Sequence, residues 1–399
     1  MMNVSTCDAH GMLLRHFEDM YGALDAEQRA RLAGAERRTE RELADRCRRR
    51  ASSSRRDGSW RASLQGQRLP RRRKAPCWML RREDAVVDFA YLYRGLCGLS
   101  RAHHANSMAG HLGAAVVAGY FFGEDNAGLS PEVGDAIGGY LDRIIAGEEG
   151  LWFDADGAGI SVAELFTPVT PEESDPALTG SIAEALAGNI DGFRQSGHNV
   201  IFAAIALRAL DDHPMHATPT LIGGVRRLIE GFDAAAMGRG YYGAARGWIE
   251  GADVPVDDSV PAYDTPDDMA AVVVEELIAS AAERKRGFGG PWHVINHTAA
   301  LIELSARGYG DLAQRGLAAH RKHVQLWRSL PDLTDELGPG VKVTLPPTGV
   351  EFWTTETPNG QSAFLTHRIK TQYGFGRVMS VVDDPATARA AADRLQYLM

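Results

Sequence analysis

The sequence has little of what several large classes of protein require. Its four cysteines, Cys7, Cys47, Cys77 and Cys97, form no CxxC pair, so we expect neither a disulfide framework nor a cysteine zinc site. Apolar runs never approach the roughly 18 residues of a membrane span. The opening stretch MMNVSTCDAHGMLLRHF lacks a continuous apolar core, so we expect no secretory signal and a cytoplasmic protein.

Several catalytic motifs are also missing. There is no GxGxxG after a strand, no GxxxxGK[ST], no GxSxG and no DxDD. The sequence therefore gives no support to a Rossmann dinucleotide site, a P-loop, the nucleophile of an α/β-hydrolase or a class II terpene cyclase.

Charge is distributed unevenly along the chain. The net charge is −9, but residues 1–82 hold 20 Lys and Arg against 10 Asp and Glu, and the remainder holds 23 against 42. The acidic remainder argues against nucleic acid binding as a main task. The basic stretch is rich in Arg, Ser and Gly and is predicted to be disordered. One reading is a basic arm that binds nucleic acid or an anionic membrane. The other is an extension that does not belong to the native protein, which would then start at Met79.

Residues 83–399 have the pattern of an all-α domain. The stretch Gly197–Leu210 predicts a helix that is apolar on every side, and such a helix is buried. Three similar stretches start at His111, His293 and His367, the first within a helix predicted for Ala102–Phe122. Each of the four places a histidine near the start of an inner helix.

These helices recur at a regular spacing, which predicts a helical repeat. From the leading histidine to the proline of the following helix there are 20, 21 and 18 residues in three of the four units. The units span about 84–146, 181–235, 266–328 and 360–399. Stacked helical hairpins bury a shared core, so we expect a repeat or α/α-toroid-like arrangement. The segment Leu337–Thr357 is predicted to be a small hairpin or a covering loop, and GRGYYGAARGW a loop.

Four equivalent histidines suggest a shared site. If the inner helices line one cavity, His111, His198, His293 and His367 meet at one end of it. Imidazoles there could act as acid/base groups or as metal ligands. The alternative is that each is a satisfied core residue, as a lone histidine on an apolar helix usually is.

A bound metal ion is compatible with the histidine spacing. His104 and His111 are seven residues apart, and His293 and His297 are four apart, so each pair is expected to share a helix face. His104 and His297 are therefore candidate metal ligands. HVINH lacks the glutamate of HExxH, and Glu303 points away from His297, so neither a zinc protease nor a two-histidine, one-carboxylate iron site is indicated.

Other polar and aromatic side chains could bind a small-molecule substrate. Tyr, Lys and Arg groups near a histidine can polarise a carbonyl or bind an anion. The alternative is that the aromatic members are core residues. The candidates are Tyr241, Tyr242, Trp292, Arg368, Lys370 and Tyr373.

Three phrases resemble those of the questin oxidase-like family: SGHNVIFAAIALRAL, WHVINHTAALIEL and THRIKTQYGF. The resemblance covers most of residues 100–399 through short, largely apolar motifs, and the intervening segments differ. It implies an all-α oxygenase that acts on an aromatic, polyketide-like substrate and uses NADPH as reductant. The resemblance does not assign a cofactor-binding role to any residue of this chain.

Two other functions stay open. In an α/α-toroid lyase or hydrolase acting on a carbohydrate, His198 with Tyr241 or Tyr242 would be the acid/base groups and Arg368 would hold a uronate. The paired carboxylates of a hydrolase are not evident. A helical-repeat scaffold that binds a partner would expose its inner face, whereas these inner helices are apolar with histidines at one end, which suits a closed pocket better.

Overall fold

The protein is described here by a computed structural model, which covers residues 86–150, 159–356 and 363–399. These residues belong to one compact unit. The predictions for residues 1–82 and for a domain boundary at residue 83 lie outside the described residues.

The described chain is all-α, as predicted. The first seven helices are α1 Ala90–Ala102, α2 Gly110–Asp125, α3 Pro131–Ile145, α4 Val162–Leu165, α5 Gly180–Ala187, α6 His198–Asp212 and α7 Pro219–Glu230. The next seven are α8 Pro266–Ser280, α9 Gly290–Ala306, α10 Gly310–Ser329, α11 Thr334–Leu337, α12 Val350–Thr354, α13 Phe364–Met379 and α14 Pro385–Leu395. Short 3-10 turns at 107–109, 176–179, 195–197, 214–216 and 396–398 join some of them.

Proline fixes where four of these helices begin. Pro131, Pro219, Pro266 and Pro385 each stand at the first position, where a missing N–H costs nothing and the fixed φ suits the helix. Helix α8 begins with a capping box. The Thr265 side chain accepts a hydrogen bond from the Asp268 amide, and the Asp268 side chain accepts one from the Thr265 amide.

Four inner helices form the centre of the fold. Helix α2 packs on α6, α6 on α9, α9 on α13, and α13 on α2, so the four close into a ring. Most residues of these helices are buried. Helices α2 and α6 are apolar almost throughout, as buried helices usually are, whereas α13 also buries charged side chains such as Arg368 and Lys370. The outer helices pack around them, with α1 and α3 against α2, and α8 and α10 against α9.

The backbones of α1 and α2 approach closely. A Cβ at Gly113 would lie 2.3 Å from the Leu99 amide nitrogen, so only glycine is tolerated there. The continuous helix predicted for Ala102–Phe122 is wrong, because α1 ends at Ala102. A turn follows, and Asn106 accepts a hydrogen bond from the Ala109 amide and begins the approach to α2.

The small strands also depart from prediction. Among the described residues the sheet is one antiparallel pair, β1 Arg239–Tyr241 and β2 Trp248–Glu250. It lies in a segment predicted to be a loop; Gly243 and Gly247, with φ of +82° and +68°, allow the reversal. The segment Leu337–Thr357, predicted to be a small hairpin or a covering loop, contains no strand among its described residues: residues 338–349 are coil and turn, and α12 follows.

The repeat itself stays a prediction. Helices α6 and α7, and α9 and α10, pack as the predicted hairpins do, but α14 packs on α8. None of the described helices has both the length and the continuous apolar character that a membrane crossing requires.

Candidate metal centre

The first turns of the four inner helices bring four histidines together. We call His111, His198, His293 and His367 the histidine tetrad. Around the ring their centroids are 4.4, 4.4, 4.9 and 5.0 Å apart. All four are at most 2% exposed. The four histidines, which were predicted to converge, thus meet at the N-terminal ends of α2, α6, α9 and α13.

The tetrad nitrogens face one another. His198 Nε2 lies 2.6 Å from His111 Nε2, and His293 Nε2 lies 2.7 Å from His367 Nε2. His111, His198 and His293 each offer a ring nitrogen, and these three atoms lie within 4.8 Å of one another. A small ion between them would be in reach of all three.

The outer nitrogens of three tetrad members are tied to backbone carbonyls. Nδ1–H of His198 donates to Gln195 O, that of His293 to Ser196 O at 3.3 Å, and that of His367 to Ala363 O at 2.7 Å. This is the arrangement typical of metal-ligating histidines, where the outer hydrogen bond fixes the ring and its tautomer.

The backbone that supplies these carbonyls is in a rare conformation. Gln195, Ser196 and Ala363 have φ of +42°, +59° and +62°, although none is glycine. Non-glycine residues in this region cost on the order of 1 kcal/mol or more each, and they cluster at functional sites. The strained residues are thus the ones that orient the tetrad.

The tautomers have a consequence for the centre of the tetrad. A neutral imidazole carries one proton, so a ring that donates from Nδ1 has a bare lone pair on Nε2. The Nε2 atoms of His293 and His367 lie 2.7 Å apart, so a proton or a metal cation must lie between these two nitrogens.

Burial makes an added proton unfavourable. Removal from water, followed by the charges of neighbouring basic groups, lowers the pKa of His293 and of His111 well below the usual value. Burial likewise lowers the pKa of His198 to about 3. The positive ends of four helix dipoles act in the same direction. The imidazoles of His111, His198 and His293 are therefore neutral, which is the form that binds a metal ion.

Lys370 and Glu149 complete the surroundings. Lys370 Nζ contacts His111 Nδ1, and burial lowers the pKa of Lys370 to about 7. Glu149 accepts from the amides of Leu365 and Thr366 at 2.6 and 2.8 Å, at the start of α13. Burial raises the pKa of Glu149 to about 7. The negative charge of Glu149 favours the protonated form of Lys370.

Two of the predicted substrate-binding residues, Lys370 and Trp292, lie beside the tetrad. Trp292 stacks on His367 with ring centroids 4.9 Å apart. Arg368 instead lies over the Phe352 ring at 3.7 Å, and the Arg208 guanidinium lies 5.3 Å from the Tyr373 ring.

Tyr241 and Tyr242 belong to the hairpin segment. The Tyr241 hydroxyl donates to Glu336 at 2.6 Å, and the Tyr242 hydroxyl shares a 2.6 Å hydrogen bond with Ser329. Both hydroxyls are thus held by other side chains, and neither contact is to a tetrad histidine.

The two predicted extra metal ligands are not members of the tetrad. His104 is exposed after the end of α1, its ring 4.0 Å from that of His103, beside a surface pocket that Arg101 and Arg227 help to line. The helix break before α2 separates it from His111. His297 is buried one turn further along α9, with its Nδ1 3.4 Å from that of His323.

Comparisons of the chain with protein families, with curated proteins and with solved structures returned no match. The resemblance to the questin oxidase-like family therefore stays a prediction, and the site is interpreted from its own geometry.

Sequence reasoning missed Glu149 and the three anchoring carbonyls. Glu149 lies far from α13 in the sequence, in a loop whose fold could not be foreseen. The carbonyls had a weak indication, because Gly197 and Gly289 directly precede α6 and α9 and have φ of +84° and +76°. A glycine directly before such a helix indicates a left-handed backbone conformation at that position, and this conformation sets the direction of the preceding carbonyl group.

Proposed function

We propose that the histidine tetrad binds a first-row transition-metal ion and that the protein is an oxidoreductase, an oxygenase, acting on a small molecule. The observation that carries the proposal is the cluster of ring nitrogens of His111, His198 and His293, which are buried and lie within 4.8 Å of one another. A cation among these nitrogens would be in reach of all three.

The ligand chemistry supports a redox metal. An all-imidazole set suits iron, copper, zinc and nickel, whereas magnesium and calcium prefer oxygen ligands. Iron or copper in such a site would supply the electron transfer to dioxygen that an oxygenase needs. The questin oxidase-like resemblance supplies the rest of the proposal: NADPH as reductant and an aromatic, polyketide-like substrate. A cytoplasmic setting belongs to the same proposal.

The residues around the tetrad have roles that follow from their contacts. His198, His293 and His367 are held in the tautomer that presents Nε2 inward. Lys370, when neutral, can accept the Nδ1–H of His111, and His111 Nε2 is then the nitrogen that faces the centre. When Lys370 is protonated, Glu149 offsets its positive charge.

Metal analysis of the full chain tests the proposal. We expect iron or copper to bind at the tetrad, so that His198→Ala holds about one ion per chain fewer than the wild type. His104→Ala is the matched control, since this histidine is exposed and outside the tetrad. Reduced, metal-loaded protein should consume dioxygen, and His198→Ala should not. An unchanged metal content in His198→Ala, with native circular dichroism, would refute the assignment.

A further inference from the structure

A second group of buried histidines lies beside the tetrad. We call His297 of α9 and His320 and His323 of α10 the histidine triad. Their ring centroids are 4.9, 5.6 and 6.4 Å apart, and all three are at most 1% exposed. The sequence had suggested His297 as a metal ligand and gave no role to the other two.

His323 presents an unprotonated nitrogen toward His297. Its Nε2–H donates to Phe288 O at 2.9 Å, and Phe288 is again a non-glycine residue with positive φ, +49°. His323 Nδ1 is therefore a lone pair, 3.4 Å from His297 Nδ1. That separation is long for a hydrogen bond. It equals the spacing of about 3.4 Å between two imidazole nitrogens on a tetrahedral ion with bonds of about 2.1 Å.

His320 also has a bare nitrogen. The Thr298 hydroxyl donates to Val294 O at 2.8 Å, so its oxygen can only accept from His320 Nε2–H, also at 2.8 Å. His320 Nδ1 is then an unprotonated, buried atom, and it has no hydrogen-bond partner. A buried polar atom without a partner destabilises the folded state.

Burial of the three rings disfavours their charged forms. It lowers the pKa of His320 to about 3, that of His323 to about 4 and that of His297 well below its usual value.

We propose that the histidine triad binds a second transition-metal ion, so that the chain holds two. His297 and His323 already have the separation of two ligands, and His320 joins them when its ring turns its free Nδ1 toward the other two. Three neutral imidazoles suit zinc, copper or iron.

The two sites are close neighbours. His293 and His297 are one helical turn apart, which is about 5.4 Å along α9. A Cβ at Gly197, next to His198, would lie 2.7 Å from His297 Nδ1. The triad thus packs directly against the segment that anchors the tetrad.

The test is the saturating stoichiometry of the full chain. Metal-free protein is titrated with Zn²⁺, desalted and analysed for zinc. We expect two ions per chain in the wild type and one in His320→Gln or His323→Gln. His216→Gln is the matched control: this histidine is half-buried and its buried Nε2 has no hydrogen-bond partner, but it lies outside the triad, and its variant should bind two.

The outcomes separate this inference from the proposed function. The tetrad variant His367→Gln should keep one ion if the triad binds independently. A wild-type count of one that His367→Gln abolishes would overturn the triad site and leave the tetrad site standing. A count of two that both triad variants retain would also overturn it. The numbers of ions bound by the wild type and by His367→Gln are measured without any triad variant. The test therefore still holds if a triad substitution prevents folding.

Discussion

Single residues decide whether the tetrad can form, and Gly289 is the sharpest case. It enters α9 with φ of +76°, and a Cβ there would lie 2.3 Å from His293 Cγ. We expect Gly289→Ala to displace His293 and to weaken metal binding by at least about 10-fold, since outer-shell changes alone have that effect. Gly290→Ala is the matched control, because Gly290 also has positive φ, +67°, but open space around it.

The measurement for this pair is metal affinity by competition with a chelator, beside urea denaturation. Both variants should lose about 1 kcal/mol from the left-handed backbone. Only Gly289→Ala should lose metal affinity. Equal affinities for the two variants would show that the position of His293 does not control the site.

Residue types could be predicted from the sequence where their pattern was local. The four tetrad histidines were found because each stands in the first turn of a nearly uninterrupted apolar helix. His104 was misplaced because the helix break before α2 rests on Asn106 and a 3-10 turn, which the apolar pattern did not show. Glu149 was missed because its contacts with the first turn of α13 span more than 200 residues of sequence.

At the scale of elements, the C-terminal ends of the inner helices are joined by ion pairs. Arg208 of α6 binds the carboxylate of Asp125, the last residue of α2, through two hydrogen bonds of 2.9 and 2.6 Å. Glu303 of α9 contacts Arg307 and lies 2.7 Å from Arg377 of α13, close enough for an ion pair although too bent for a hydrogen bond. The ring thus has histidines at one end and paired charges at the other.

Removing Glu303 should loosen this end of the ring. Its side chain is 3% exposed, and Glu303→Gln leaves the guanidinium groups around it without their shared partner. We expect a loss of about 3–5 kcal/mol in the free energy of unfolding, measured by urea denaturation. The exposed pair of Arg226 and Glu230 gives the control, where Glu230→Gln should cost less than about 0.5 kcal/mol. Similar losses in both variants would contradict the assigned role of Glu303.

The helix starts were the elements best predicted, because proline and capping residues act locally. The hairpin of β1 and β2 was missed, because three-residue strands in a Gly-rich loop leave no period to detect. The order in which the inner helices contact one another could not be derived from the sequence, since it depends on packing between distant segments.

For the whole molecule, the many neutral histidines predict strong acid sensitivity. Six buried histidines and the half-buried His216 have a lowered pKa, chiefly because of burial. They are His111, His198, His216, His293, His297, His320 and His323. The unfolded chain takes up protons near pH 6.5 and the folded chain does not, so stability falls as the pH falls below 6.5.

Each of these histidines lowers the free energy of unfolding by about 1.4 kcal/mol for each pH unit below pH 6.5. Glu149 acts in the opposite direction, because its raised pKa means that the folded state binds a proton more readily between pH 4.5 and 7. One such group offsets about one histidine. Urea denaturation of chelator-treated protein should therefore show a steep loss between pH 6.5 and 5, and His216→Phe should reduce the slope by about one proton. An unchanged denaturation midpoint over this range would contradict buried, neutral histidines.

Anomalous X-ray diffraction from crystals of the metal-loaded full chain tests the central claim most directly. With data collected at the absorption edge of the metal, we expect a peak about 2.0–2.2 Å from ring nitrogens of His111, His198 and His293, with the nitrogens of His293 and His367 moved apart from their 2.7 Å contact. Loaded crystals without a peak at this point, with the two nitrogens still at hydrogen-bond distance, would show that the tetrad holds a proton and no metal ion.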